Sequence, residues 1–327
     1  ESHSDDGTPV VAEQYLCRDP QERVFVEGEW HEGLIPWSIA SEQDELEIQA
    51  FRDEVARWVE WRDAAGRRAF TIPSAECSDS EEVRRLDQLT MSEWMTQHGW
   101  TSEVLRWYID HCCRDDYGLR VDQVSAWAGL FYFAARSETG GNDSQPFITW
   151  PEGNGRLVAH LRSQVESHIK TGWTVTNINN VERRGRDKVL VTAARSNHET
   201  GKSWMCDRVI FAAPPFLATW LIDGFKERGN QQLQQLQSGS WLVANLHLTN
   251  RPGGRPYLSE DFPLSWDNVL YGSPALGYVV ATHQKGLDYG PTVLTYYFPL
   301  CDDDPKVARE RLLKLTWAEW AEVILSD

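Results

Sequence analysis

Positive charge is in short supply in this chain: 32 Lys and Arg face 49 Asp and Glu, a formal net charge of −17 over 327 residues. Nucleic acids and anionic membrane surfaces are both held through a basic face, so this balance argues against either as a partner. Long hydrophobic runs are missing as well. No apolar stretch approaches the roughly 20 residues that cross a bilayer, and the opening Glu1-Ser2-His3-Ser4-Asp5-Asp6-Gly7 has no charged-then-apolar signal pattern. The expectation is a cytoplasmic chain without a transmembrane segment. Cysteine is scattered, at Cys17, Cys77, Cys112, Cys113, Cys206 and Cys301, with no Cys-x-x-Cys pair. That pattern argues against a zinc site or a disulfide framework and fits reduced thiols. His111-Cys112-Cys113 has ligand chemistry, but consecutive residues on a helix point in different directions, so the three read as structural and no metal is expected.

Tryptophan, by contrast, is abundant, at 16 residues. Side chains of that size supply core area, and some fit a pocket for an apolar or cationic substrate. The length suits one large domain or two.

Helix and strand signals divide the chain. Arg23-Val24-Phe25-Val26 and Trp30-His31-Glu32 flank Glu27-Gly28-Glu29 as a hairpin. Ser41, with Asp44 three residues on, opens a long helix that the spacing of Leu46, Phe51, Val55, Trp58 and Val59 carries toward Gly66. A short polar helix over 80–86, a helix start over 89–95 and helices over 103–113 and 121–135 follow. Asp115 and Asp116 read as turn and cap residues between the last two, rather than as paired carboxylates for acid–base work. Beyond residue 240, three strand-like runs (241–248, 277–283, 292–298) suggest an antiparallel sheet, and a single helix is expected over 305–325.

The middle of the chain carries the most distinctive run. Cys206-Asp207-Arg208-Val209-Ile210-Phe211-Ala212-Ala213-Pro214-Pro215 reads as a buried strand that stops at two prolines, which cannot donate to a ladder. Upstream stand Gly153-Asn154-Gly155, a helix over 157–169, the extended run 173–178 and a hairpin-like pair, 188–195 and 203–210. Gly201-Lys202-Ser203 lacks the earlier glycine of a phosphate-binding loop, since Ser196 stands five residues before Gly201, and so reads as turn chemistry.

This order resembles the middle of the flavin-containing amine oxidase family, from a Gly-x-Gly turn through a helix and a Val-containing strand to an Ala-x-Pro-Pro strand end. The resemblance extends from about Val24 onward and is strongest over 151–215 and 263–284. It implies an α+β, α/β-type FAD-dependent amine oxidase-like fold, with part of an FAD-binding domain and a substrate domain built on an antiparallel sheet with helices. On that reading residues 1–150 are a mostly helical substrate-side region, 151–222 the centre of the FAD domain, and 223–327 the substrate-domain sheet and last helix. The implied cofactor is FAD. Val175 would offer backbone groups to its adenine, Gly153, Asn154 and Gly155 would approach the flavin side, and Ala212, Ala213 and Pro214 would lie near the dinucleotide.

Two departures qualify the implied activity. The Gly-x-Gly-x-x-Gly turn that holds the pyrophosphate in this family occurs nowhere in the sequence. By the resemblance, the chain would be an internal piece unable to hold FAD firmly. Many members also place a Lys on a substrate-domain strand near flavin N5; here the matching region 264–284 has none, and Lys285 lies just beyond it.

Candidate pocket residues, by position and type, are Trp266, Asp267, Asn268, Tyr271, His283 and Gln284. His283 is either a base or substrate contact or a hydrogen-bonded structural residue, and Asp267-Asn268 is either chemistry or a turn between strands. The leading expectation is an FAD-dependent oxidoreductase that removes a hydride from a small organic substrate, an amine among the candidates. The alternatives are a non-catalytic binding or scaffold module with a residual aromatic pocket, and a carotenoid or protoporphyrin desaturase-like flavoprotein.

Overall fold

The structure, a computed structural model, describes residues 2–3, 9–12, 15–17, 22–136, 147–195, 200–228, 237–252, 264–281, 283 and 290–327. The chain divides into two units, one of Glu1–Gly153 with Gly239–Asp327 and one of Asn154–Ser238. Among the described residues no helix is long and apolar enough to cross a membrane.

After three two-residue strands, Ser2–His3, Pro9–Val10 and Leu16–Cys17, the first unit forms the expected hairpin, β1 (Glu22–Val26) and β2 (Glu29–Glu32), turning through Glu27 and Gly28 at positive φ. Helix α1 (Glu42–Glu60) starts as its sequence specifies: the Ser41 hydroxyl accepts from Asp44 N–H, while the Asp44 carboxylate accepts from Ser41 N–H at 2.8 Å. It ends at Glu60, short of the expected Gly66. Beyond it Asp63 takes the N–H groups of Ala65 and Arg67, both at 2.9 Å, which bends the chain into a loop. Helix α2 (Met91–Gln97) carries a second capping box, from Thr90 and Glu93.

Helix α3 (Glu103–Tyr117) departs from expectation. It runs through Asp115 and Asp116 and stops only where Gly118 takes the left-handed conformation, φ 62°. The two aspartates therefore occupy its last turn and are not cap residues. Helix α4 (Ala126–Ala134) starts at its Ser125 cap, later than expected, because Val121 N–H is committed to the Asp110 carboxylate and the Val124 carbonyl to Met91 N–H. Ile48, Phe51, Trp58, Phe70, Met91, Trp94, Leu105, Ile109 and Leu130 make the core of this helical layer.

The second unit holds α5 (Gly155–Val165), β3 (Trp173–Arg183), β4 (Arg186–Arg195) and β5 (Gly201–Cys206). The strands form an antiparallel sheet in that order, with a bulge between Val175 and Asn177. The expected buried strand after Cys206 does not form. Residues 207–214 are irregular and Ile210 is 92% exposed. No strand lies alongside them among the described residues, and an extended apolar run without a ladder partner leaves its backbone groups to solvent.

Returning to the first unit, β6 (Trp241–Leu248), β7 (Asp267–Leu270), β8 (Tyr278–Val280) and β9 (Thr292–Pro299) join the hairpin in one sheet, ordered β6-β9-β8-β7-β1-β2. It is antiparallel except for β7 and β1, which run parallel, so the sheet is mixed rather than purely antiparallel. Val24 and Val269, both fully buried, lie opposite each other in that parallel pair. Thr292, Leu294, Tyr296 and Phe298 of β9 are buried. Tyr296 and Phe298 pack against helices α6 (Pro305–Lys314) and α7 (Trp317–Ser326) through Ala308 and Trp320. The expected single terminal helix is two, because Leu315 is extended and Thr316 with Glu319 builds a fresh capping box.

Candidate functional site

Strand register assembles the site. Side chains alternate across a sheet, so residues opposite one another in neighbouring strands share a face. Asp267 of β7 stands opposite Glu22 of β1 on one side and Val279 of β8 on the other, and Val279 stands opposite Thr295 of β9. Tyr297, two residues along β9, points to the same face as Thr295. Two carboxylates, Glu22 and Asp267, thus sit side by side in a ladder, where like charges directly opposite are destabilising.

Helix α3 supplies the facing wall. Trp107, His111 and Asp115 recur every four residues and form one stripe. His111, Asp115, Trp241, Asp267 and Tyr297, with Leu276 and Val279, enclose a cavity of about 320 Å³. Trp241 is held there by contact with Gly118, where an added Cβ would lie 2.5 Å from its indole nitrogen. The His111 ring stacks on Trp107 with centroids 5.5 Å apart, and Trp107 packs against Tyr271 at 4.7 Å. His111 is 3% exposed, and its Nδ1 is buried without a protein partner.

The local charges are unbalanced. Burial, then the charges of Glu22 and Asp115, raise the Asp267 carboxyl to about 8, so it is mostly neutral at pH 7. Glu22 and Asp115, both exposed side chains at the margin of this site, are also raised, each first by desolvation and then by a neighbouring carboxylate. Burial, then Arg114, pushes the His111 imidazole down to about 3, which keeps it uncharged. The nearby arginines have other partners. Arg23 donates to Asn268 at 2.5 Å and lies 3.9 Å over the Trp30 ring. Arg114 meets Asp110 and the Pro274 carbonyl, and Arg136 meets Asp116 and the Tyr132 ring.

Of the residues expected in a pocket, Asp267 lies in this cavity. Asn268 lies on the opposite sheet face, 1% exposed, donating to the Ser265 and Tyr278 carbonyls while accepting from Arg23. Its hydrogen bonds make it a clamp between β1, β7 and β8, and both Asp267 and Asn268 belong to a strand, not a turn. Trp266 is half-buried with its ring 5.9 Å from that of His283. Burial, then Arg251, lowers the pKa of the half-buried His283. Tyr271 sits on Trp107, outside the lining. Gln284 lies outside the described residues.

The expected cofactor residues take these positions. Gly153 has φ 55°, Asn154 precedes α5 without a side-chain capping bond, and Gly155 is the first residue of α5. Nothing stands within 4 Å of a Cβ built on either glycine. Val175 is 37% exposed on β3, an edge strand, and Ala212, Ala213 and Pro214 are exposed in the irregular segment. Among the described residues no cluster of three or more metal-ligating side chains could hold an ion.

Sequence reasoning missed Glu22, His111, Asp115, Trp241 and Tyr297. The available signal was the four-residue recurrence of Trp107, His111 and Asp115, which a helix taken to end at Cys113 had cut short.

No protein-family model and no curated protein sequence matches the chain. Solved structures do, 26 chains in all. A cofactor-redesigned double mutant of putrescine oxidase aligns over 96% of this chain and 65% of its own, at 16% identity and TM-score 0.62. Wild-type putrescine oxidase bound to putrescine aligns over 94% and 63%, at 15% identity and TM-score 0.60. The PF1083 protein of Pyrococcus furiosus aligns over 93% and 64%, at 14% identity and TM-score 0.53. The chain has the FAD amine oxidase-like fold. At these identities the likeness establishes the fold, and the chain spans somewhat under two thirds of the length of these proteins.

Proposed function

We propose that this chain belongs to a flavin-dependent oxidoreductase that removes a hydride from the carbon next to nitrogen in a small amine. The observation that carries this reading is the cavity of Asp267, Asp115, His111, Trp241 and Tyr297, set on a fold shared with putrescine oxidase. The Asp267 carboxylate, whose charge no cationic side chain among the described residues offsets, suits an ammonium group, and the flanking aromatic rings suit its alkyl chain and add cation–π attraction. The cavity volume matches a small ligand.

Several exposed surfaces are compatible with FAD. An edge strand turns alternate backbone N–H and C=O groups away from its neighbour, so β3 around Val175 can pair with the edge of an adenine. The small side chains of Ala212 and Ala213 let a flat group approach the backbone, and the open space at Gly153 and Gly155 does the same. FAD, when bound, supplies the two-electron acceptor. The chain's own residues would hold the nitrogen end of the substrate, with the Asp267 or Asp115 carboxylate taking the ammonium proton so that the neutral amine can lose a hydride from its α-carbon, and would limit water around it.

The test is the visible spectrum of the purified protein, followed by peroxide release or dye reduction across a panel of small mono- and diamines. A flavin spectrum with turnover of a small amine is the expected result. A flavin spectrum with no turnover of any amine contradicts the substrate, and a colourless protein contradicts the flavin chemistry and leaves a non-catalytic amine-binding module.

A further inference from the structure

We propose that the cavity takes up an organic ammonium ion in exchange for one proton shared among Glu22, Asp115 and Asp267, with the Nδ1 of His111 accepting an N–H of the bound ion. This rests on the amine reading of the same cavity but needs no flavin chemistry.

The geometry carries the exchange. Glu22 and Asp267 are direct neighbours in the parallel ladder, and Asp115 faces Asp267 across the cavity from the last turn of α3. Asp267 is the most enclosed of the three, while Glu22 and Asp115 are exposed at its margin, and their charges raise the cost of ionising Asp267 unless a cation is present. Arg136 acts on Asp115, after burial and Asp116, but among the described residues no cationic side chain offsets the charge of Asp267. Arg23 turns to the other face of the sheet with Asn268, Arg114 is engaged by Asp110, and Arg136 lies nearest to Asp116. From β9, Tyr297 presents a phenol whose ionisation is disfavoured by burial and then by the same carboxylates. From α4, Tyr132 is held protonated first by Cys112, then by burial and by Asp115. The cluster therefore keeps a proton when empty and can release it when a positive ligand arrives.

His111 supplies the second, independent sign of a ligand. A buried imidazole nitrogen without a partner forfeits a hydrogen bond, at a cost that a ligand donor would remove. Its ring is held by the stack on Trp107 and is uncharged, so with the proton on Nε2 its Nδ1 is an acceptor. An alkylammonium ion offers three N–H donors, which suit both a carboxylate and the His111 nitrogen of this lining. A quaternary ammonium ion carries the same charge and offers none.

The experiment is isothermal titration calorimetry of the purified protein with butylamine at pH 7, in two buffers of different ionisation enthalpy. Binding with release of about one proton is expected, since the carboxyl of Asp267 is mostly protonated before binding and ionised after it. Tetramethylammonium is expected to bind at least about tenfold more weakly. Asp267→Asn, an isosteric change, should abolish most of the proton release. His111→Phe, which keeps the stack on Trp107, should weaken butylamine about tenfold while leaving the release unchanged. No binding of butylamine, binding without proton release, or release unchanged in Asp267→Asn would overturn the exchange. Equal affinity for the two ions, or unchanged affinity in His111→Phe, would overturn the part given to His111. A colourless protein that releases a proton on binding sinks the flavin reading and keeps this one; a flavin reduced by amines without proton release does the reverse.

Discussion

Replacing Asp267 by Asn should stabilise the protein increasingly as pH rises. The folded-state pKa of Asp267 is raised, to about 8, against roughly 4 for an unfolded chain. A raised carboxyl means that the folded state keeps a proton the unfolded state has already lost, so stability falls as pH climbs from about 4 through 8 and is level beyond. Between pH 5 and pH 8 the linkage amounts to about 1.4 kcal/mol per unit, or a ceiling near 4 kcal/mol. A separate estimate comes from the ladder itself: two unit charges about 5 Å apart at an effective dielectric of about 20 repel by roughly 3 kcal/mol. The neutral amide escapes both. We therefore expect Asp267→Asn to gain about 2–4 kcal/mol on wild type between pH 5 and pH 9. Urea unfolding of both proteins at each pH, with equal m-values required, measures this. A difference that stays constant across that range would refute the reasoning, because it would mean that Asp267 is ionised throughout.

Asn268→Ala should destabilise by about 3 kcal/mol in urea unfolding, since it removes the buried amide that accepts from Arg23 and donates to the Ser265 and Tyr278 carbonyls. Gly277→Ala should cost more than about 2 kcal/mol by the same measurement. Its Cβ would lie 2.0 Å from the Asn268 carbonyl oxygen, at a residue held at φ +84°. His111 should show no titration between pH 4.5 and 8 in ring proton–nitrogen correlation spectra, because burial lowers its pKa to about 3. The sign of its contribution is opposite to that of Asp267: stability is lost as pH falls below the unfolded value of about 6.5 toward 3. A ring that titrates near 6.5 would contradict its buried, neutral state.

What was legible in the sequence was local. Ser41 with Asp44, the hairpin at Glu27 and Gly28, and strand β6 each follow from residues within a few positions of one another, where caps, turns and alternation act directly. The run Val209 to Ala213 misled because apolar composition alone does not make a strand; a ladder partner must exist, and the described residues provide none. Asp115 misled in the other direction. Asp-Asp-Tyr-Gly has the composition of a turn, yet Gly118 alone ends the helix and Asp115 remains on the stripe of His111. The pairing that makes the site, Glu22 beside Asp267, depends on a parallel register between strands 245 residues apart, as the neighbouring Arg23–Asn268 bond shows. No local pattern encodes that distance. Asn268, chosen for its polarity, is a framework residue because the same alternation that turns Asp267 into the cavity turns Asn268 away from it.

Anaerobic addition of a small amine to the purified protein, followed by its visible spectrum, tests the central claim most directly because it requires no knowledge of the electron acceptor. The account predicts a flavin band that bleaches on adding the amine and bleaches far more slowly in Asp267→Asn. A flavin band that no amine changes, in a protein shown by calorimetry to bind the amine, would contradict it.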